Sequence, residues 1–304
     1  MSKIIFENPW ATISQSQLAN DIDVININHK LCQAKISLYG GQVLSFIPKD
    51  QQELFWLSET STYEVGKAIR GGIPLCWPWF GANDKQSPES AKTSPAGNHG
   101  FARQVVWQLD NIEVTSEQVI IDIVFQGEKQ HSMWPNAFQL KQTLCFGLHF
   151  EQMLTMQNLS AQDAEYTGAL HSYFNVSSPL FVSIKELEQA AFFDKLSGKH
   201  KTQQPIAHCV GPIDRVYEFS KAVTLIDSKW QRSISIESNG SQWVLWNPGE
   251  DIANSMADIH PKGEQSFVCL EAAQTRWQNL PAGKSAKLRQ KVTVQPLLDE
   301  LRAC

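Results

Sequence analysis

Phe138-Gln139-Leu140-Lys141-Gln142-Thr143-Leu144-Cys145-Phe146 is followed by Gly147 and then by a second run over residues 148–159. Both runs carry apolar side chains at a spacing of two, the period of a half-buried strand, and a lone glycine separates them. The pair reads as a hairpin of two long strands. The same period recurs outward from it. Residues 119–125 (Val-Ile-Ile-Asp-Ile-Val-Phe) read as a buried strand, and 36–46, 170–176, 181–187, 232–237, 243–246, 267–272 and 286–294 are further strand candidates. Helical signals are few: one turn over 254–258, and a terminal helix over 296–301 that begins at a proline. Many strands without βαβα alternation predict an all-β chain, a large antiparallel β-sandwich with few short helices.

At 304 residues the chain is long enough for two domains, but sandwiches of this size are commonly one, and a single domain over 1–304 is expected. Residues 81–97 collect Asn, Asp, Lys, Ser, Pro and Gly without an apolar period and read as one long loop. The formal net charge of −5 argues against a nucleic-acid partner, which calls for a basic surface. No stretch approaches the ~18–20 apolar residues of a membrane span. Glu7, Asn8 and Pro9 stand where a signal peptide would be apolar, so a cytoplasmic location is expected. The six cysteines are scattered, without C-x-x-C or zinc spacing, and read as reduced thiols. No coiled coil or interface helix is visible, and a monomer is expected.

Five segments could carry chemistry. In Arg70-Gly71-Gly72-Ile73-Pro74-Leu75-Cys76-Trp77-Pro78-Trp79-Phe80 the glycines allow close backbone approach. The three aromatics could line a sugar pocket, and Arg70 can grip an anion through parallel hydrogen bonds. A tight aromatic corner with a surface arginine is an equally physical reading. Asn98-His99-Gly100-Phe101-Ala102-Arg103 could bring His99 and Arg103 onto one anion, or simply form a turn. In Ala169-Leu170-His171-Ser172-Tyr173-Phe174-Asn175-Val176, alternation places His171, Tyr173 and Asn175 on one face, as a ligand-bearing sheet or a hydrogen-bonded core histidine would. Glu271 is the one charge in Phe267-Val268-Cys269-Leu270-Glu271-Ala272-Ala273; burial would raise its pKa toward that of a useful base, unless an Arg or Lys pairs with it. Asp214 and Arg215 are adjacent, so in a strand one would face a ligand and the other pair internally, or both would sit in a surface turn. Gly-x-Gly-x-x-Gly, Walker, Gly-x-Ser-x-Gly and His-Glu-x-x-His motifs are all absent.

As an ordered set, these segments, with Trp246-Asn247-Pro248-Gly249, resemble the hexose-6-phosphate mutarotases (glucose-6-phosphate 1-epimerases) of the aldose 1-epimerase superfamily. The resemblance implies a galactose-mutarotase-like sandwich with its site on a concave sheet face. It implies interconversion of the α and β anomers of a hexose 6-phosphate, with glucose 6-phosphate foremost, and no metal or organic cofactor. Carried over by position, His171 matches the general acid, Glu271 the general base, Arg70 and Arg103 the phosphate-holding arginines, and Asp214 a partner of sugar hydroxyls. His99 falls in the same pocket. Asn98 stands where many relatives have glutamine, so a contact there would be shorter. On this reading Glu271, ionised, takes the C1 hydroxyl proton while His171, protonated, donates to the ring oxygen from the opposite side of the ring.

Two other functions fit parts of the pattern. A non-catalytic carbohydrate- or sugar-phosphate-binding protein would keep the aromatics and arginines without needing His171 and Glu271. A glycoside hydrolase would need two carboxylates flanking the bond, for which Asp214 and Glu271 are available, and would leave His171 without a role.

Overall fold

The computed structural model describes residues 2–83, 85 and 97–297. The hairpin forms as its period requires: strands Phe138–Phe146 and Phe150–Asn158 pair antiparallel, with Phe146 opposite Phe150 and Phe138 opposite Asn158. Alternate residues of both strands are buried. The hairpin lies inside an eight-stranded sheet, flanked by Val119–Gly127 on one side and Ser285–Pro296 on the other. A second eight-stranded sheet runs Lys199–Lys201, Phe192–Asp194, Ile213–Tyr217, Gln242–Asn247, Phe267–Leu280, Ala164–Leu170 and Leu75–Cys76; Tyr173–Asn175 also pairs with Phe267–Leu280. A five-stranded meander of Lys3–Glu7, Ala11–Gln17, Asp23–His29, Cys32–Ser37 and Gln42–Pro48 completes the fold. Among the described residues all pairs of these strands are antiparallel, as the sequence leads one to expect. Among the described residues no helix is long and apolar enough to cross a membrane.

The two large sheets share one apolar core. Leu144, Phe150, Leu154, Leu288 and Val292 come from the first, and Leu75, Leu170, Trp243, Leu245, Val268 and Leu270 from the second. One row of polar side chains crosses it. Gln142 Nε2 donates to the Gly41 carbonyl (2.5 Å), Gln152 Nε2 to Gln142 Oε1 (2.7 Å), and Gln290 Nε2 to both Gln152 Oε1 (2.9 Å) and Ser172 Oγ (3.0 Å). All four side chains are fully buried, and each amide satisfies the next.

Several elements differ from the sequence expectation. Residues 36–46 are two strands rather than one, because Gly40 and Gly41 take φ of 77° and 55° and turn the chain between Ser37 and Gln42. Residues 181–187 form a two-residue strand, Val182–Ser183, between 3-10 turns at Pro179–Phe181 and Lys185–Leu187. The helical turn lies earlier than expected, at Gly249–Asn254. Its first turn carries Glu250 and Asp251, whose charges suit a helix N-terminus. Pro296 is the last residue of a strand rather than the first of a helix, and residues 298–301 of that expected helix lie outside the described residues. Most of the expected loop, residue 84 and residues 86–96, also lies outside them.

Replacing Gln152 with Leu interrupts the amide row and leaves Gln142 Oε1 and part of Gln290 buried without partners. The expected cost is about 3 kcal/mol of unfolding free energy, read from the urea midpoint at unchanged slope. A loss below about 1 kcal/mol would contradict the account.

Candidate active site

The floor of the site is set by strand register. Leu170 lies opposite Ala272 and Tyr173 opposite Cys269, so the pairing continues unshifted through His171 and Ser172 and sets His171 directly across from Glu271. On the other side of the same central strand, Glu271 faces Val244, which faces Val216. The next row on this face, two residues along each strand, is Tyr173, Cys269, Trp246 and Asp214. Successive residues of a strand point to opposite faces, so Val268, Leu270 and Ala272 enter the core while Glu271 does not. As it also does at the bulge between Tyr166 and Gly168, hydrogen bonding leaves the regular ladder at residues 171–172. There the His171 N–H donates to the Pro74 carbonyl (3.1 Å), and Ser172 Oγ turns inward to Gln290.

Above this floor is a cavity of 520 Å³. Arg70, Asn98, His99, Arg103, His171, Asp214 and Glu271, all anticipated from the sequence, line it together. His171 Nε2 and Glu271 Oε1 are 3.4 Å apart, which differs from the expectation of groups on opposite sides of a sugar ring. Cross-strand neighbours on one face have their Cβ atoms only about 5 Å apart, which brings the two side chains together. Both are buried, at 6% and 1% exposure. Burial, and then the negative charge of Asp214, push the Glu271 carboxyl well above the usual carboxylate range, against the pull of Lys195 and Arg103. Burial, and then the positive charges of Arg103 and Arg70, hold His171 well below 6.5. Within the protein these influences favour a neutral carboxyl beside a neutral imidazole, whereas the sequence reading has Glu271 ionised and His171 protonated.

His99 is held by a two-way clasp at the neck of the long loop. Its N–H donates to the Gly81 carbonyl (2.7 Å), and its Nδ1 accepts from the Gly81 N–H (3.1 Å). Because Nδ1 accepts, the proton of the neutral ring is on Nε2, which makes His99 a fixed donor. Burial, and then Arg103 and His171, keep it neutral, well below 6.5. The next residue, Gly100, has φ of 65°, and a Cβ there would lie 2.0 Å from the Trp77 carbonyl oxygen, so only glycine fits.

The cations are held differently. Arg70 Nε donates to Asp258 Oδ2 (2.9 Å), with Nη2 at 2.8 Å from the same oxygen, while Nη1 donates to the Tyr173 hydroxyl (2.8 Å). Arg103 Nη2 donates to the Asn98 carbonyl (2.9 Å), and its Nε is buried without a partner. His171 Nδ1 and Glu271 Oε2 share that condition. Three polar atoms around one cavity thus have no partner within the protein. Asp214 pairs with Lys195 (3.2 Å), and burial raises its pKa while Lys195 opposes the rise. Arg215 turns away from the cavity, donating to the Tyr217 hydroxyl.

Some sequence expectations change here. Trp77 and Trp79 do not line the cavity. Both are buried, and Trp77 packs against Phe101, Trp134 and Phe138; of the three aromatics only Phe80 is a lining residue. Asn175 donates to the Glu53 carbonyl, away from the site. Lys195, Asp258 and Met256 were not foreseen. Lys195 had a weak signal in its place beside Asp194, but Met256 and Asp258 come from a turn with no motif. Among the described residues no cluster of three or more His, Cys, Asp or Glu could hold a metal ion.

Comparison with known proteins agrees with this architecture. Residues 23–293 match the family model for aldose 1-epimerase. A protein of Escherichia coli (strain K12) that carries the provisional name glucose-6-phosphate 1-epimerase is 32% identical over 296 residues, covering 95% of this chain and 96% of its own. The crystal structure of a protein from Salmonella typhimurium, provisionally described as a mutarotase, superposes with a TM-score of 0.84 at 30% identity over 97% of both chains. A galactose mutarotase-like protein from Clostridium acetobutylicum shares the fold, with a TM-score of 0.74 at 14% identity over 95% of this chain and all of its own. With a buried carboxyl–imidazole pair on a galactose-mutarotase-like sheet, and a family match across most of its length, this chain belongs to the aldose 1-epimerase family.

Proposed function

We propose that the chain interconverts the α and β anomers of a hexose 6-phosphate, foremost glucose 6-phosphate. The observation that carries this reading is the buried Glu271–His171 pair 3.4 Å apart, on the floor of a cavity that also presents Arg70 and Arg103. The pair supplies a transferable proton, and the arginines suit a phosphate dianion.

The reaction needs only that proton inventory. A base removes the C1 hydroxyl proton, the C1–O5 bond breaks, and an acid protonates the ring oxygen, giving the open aldehyde. Rotation about C1–C2 presents the other carbonyl face. Closure then returns each proton to its donor. A neutral carboxyl beside a neutral imidazole holds as many protons as a carboxylate beside an imidazolium, so one transfer between Glu271 and His171 converts the resting pair into base and acid. Substrate favours that transfer. The positive charges that most depress His171 are Arg103 and Arg70, and a phosphate seated on them offsets both. For Glu271 the leading positive charge is Lys195, which pairs with Asp214 instead. His171 thus gains basicity more than Glu271 does when phosphate binds. His99, a fixed donor, and Asp214 are the proposed partners of sugar hydroxyls, with Asn98 at the rim.

Glu271→Gln removes the base at nearly unchanged volume. It is expected to lower the catalysed α/β exchange rate of glucose 6-phosphate about 10³-fold, with fold and binding retained. Near-full activity in the folded variant would sink the assignment. Arg103→Met is expected to cost about 2–3 kcal/mol in kcat/KM for glucose 6-phosphate and little for free glucose; equal losses would argue against a phosphate role. In the ligand-free chain, the His171 ring followed by ¹⁵N NMR should stay neutral as pH falls through 6.5 and take up its proton only well below. A midpoint at the ordinary value would contradict the field described above.

A further inference from the structure

We propose that Asp258 is a positioning residue for the anion end of this pocket: with Tyr173 it locks the Arg70 guanidinium so that one N–H on each terminal nitrogen is left for two oxygens of the substrate phosphate. The inference rests on the proposed hexose 6-phosphate reading. Its geometric ground is a donor count. A guanidinium has five N–H groups. Nε–H and one N–H of Nη2 go to Asp258 Oδ2, and one N–H of Nη1 goes to the Tyr173 hydroxyl. Among the described residues Nη1 and Nη2 have no other hydrogen bond or ion pair, and Arg70 lines the cavity.

The lock is itself fixed on both sides. The Arg70 N–H donates to Ser61 Oγ (3.0 Å), and its carbonyl accepts from the Ser58 N–H (3.0 Å). Two residues beyond Asp258, the His260 N–H donates to Ser58 Oγ (3.3 Å), and its ring stacks on Trp56 at 5.5 Å. Asp258 and Arg70 are therefore tied to the same short segment, although 188 residues separate them. Tyr173 is held by stacking between Trp56 (5.9 Å) and His171 (4.8 Å). A donor pair fixed before the ligand arrives gives up less freedom on binding, which is where such a lock gains affinity.

Asp258 also sets the charge of the pocket. It neutralises Arg70 as Asp214 neutralises Lys195, whereas Arg103 has no acidic partner among the described residues. Arg103 thus supplies net attraction for the dianion, and Arg70 supplies direction.

Calorimetric titration with glucose 6-phosphate separates these roles without relying on turnover. Asp258→Ala, which frees Arg70, is expected to weaken binding about tenfold. Asp258→Asn keeps an oxygen to accept from Arg70 while removing the neutralising charge, and should bind at least as tightly as wild type. Added to Arg70→Met, Asp258→Ala should have no further effect. Wild-type affinity in Asp258→Ala, or losses that add fully in the double variant, would overturn the proposal, and so would an Asp258→Asn variant as weak as Asp258→Ala. Thermal unfolding of each variant checks that the fold is kept. Glucose 6-phosphate that binds without faster anomer exchange would sink the proposed reaction, while the binding series still decides the role of Asp258.

Discussion

The register of one strand governs the site. Phe267–Leu280 runs through the second large sheet, and its pairing places His171 across from Glu271 in one row and Tyr173, Cys269, Trp246 and Asp214 in the next. A one-residue slip would send Glu271 into the apolar core and leave Val268 and Leu270 facing the cavity. Neither is tolerable: an ionised carboxylate has no partner there, and the core would lose two fully buried side chains. The cost of a misplaced carboxyl and the gain from packed apolar residues thus enforce the same alignment. The buried amide row adds a polar check, since Ser172 meets Gln290 only in this register.

With the alignment fixed, the electrostatics of the floor follow. Both groups are removed from water, and burial penalises the charged form of each, so the neutral partners are favoured here over an ion pair. The arginines strengthen that preference at His171. Such a pair is poised: it stores one proton whose position responds to the charge that a ligand brings. Partner acids temper two of the surrounding cations, Asp258 at Arg70 and Asp214 at Lys195.

The hairpin 138–158, the alternation along 267–272 and the lone carboxylate within it were legible in the sequence, because strand period and burial cost are local properties. The seven anticipated site residues share one cavity for the same reason: each lies in a strand or beside a glycine turn whose constraints can be read locally. The contact between His171 and Glu271 was not legible, since cross-strand register joins residues a hundred positions apart. Trp77 and Trp79 were misplaced because an aromatic side chain carries no mark that separates cavity lining from core. Asp258 and Met256 come from a turn after a short helix, where no period fixes direction, and Asp258 is defined only by the Arg70 it meets.

The most direct test of the central claim is magnetisation-transfer NMR between the α and β anomeric protons of equilibrated glucose 6-phosphate, with free glucose under the same conditions as the reference. The account predicts that catalytic amounts of the protein speed exchange of the phosphate well above its rate in buffer, and much more than that of glucose. Unchanged exchange of both sugars, with line broadening that reports binding, would contradict it.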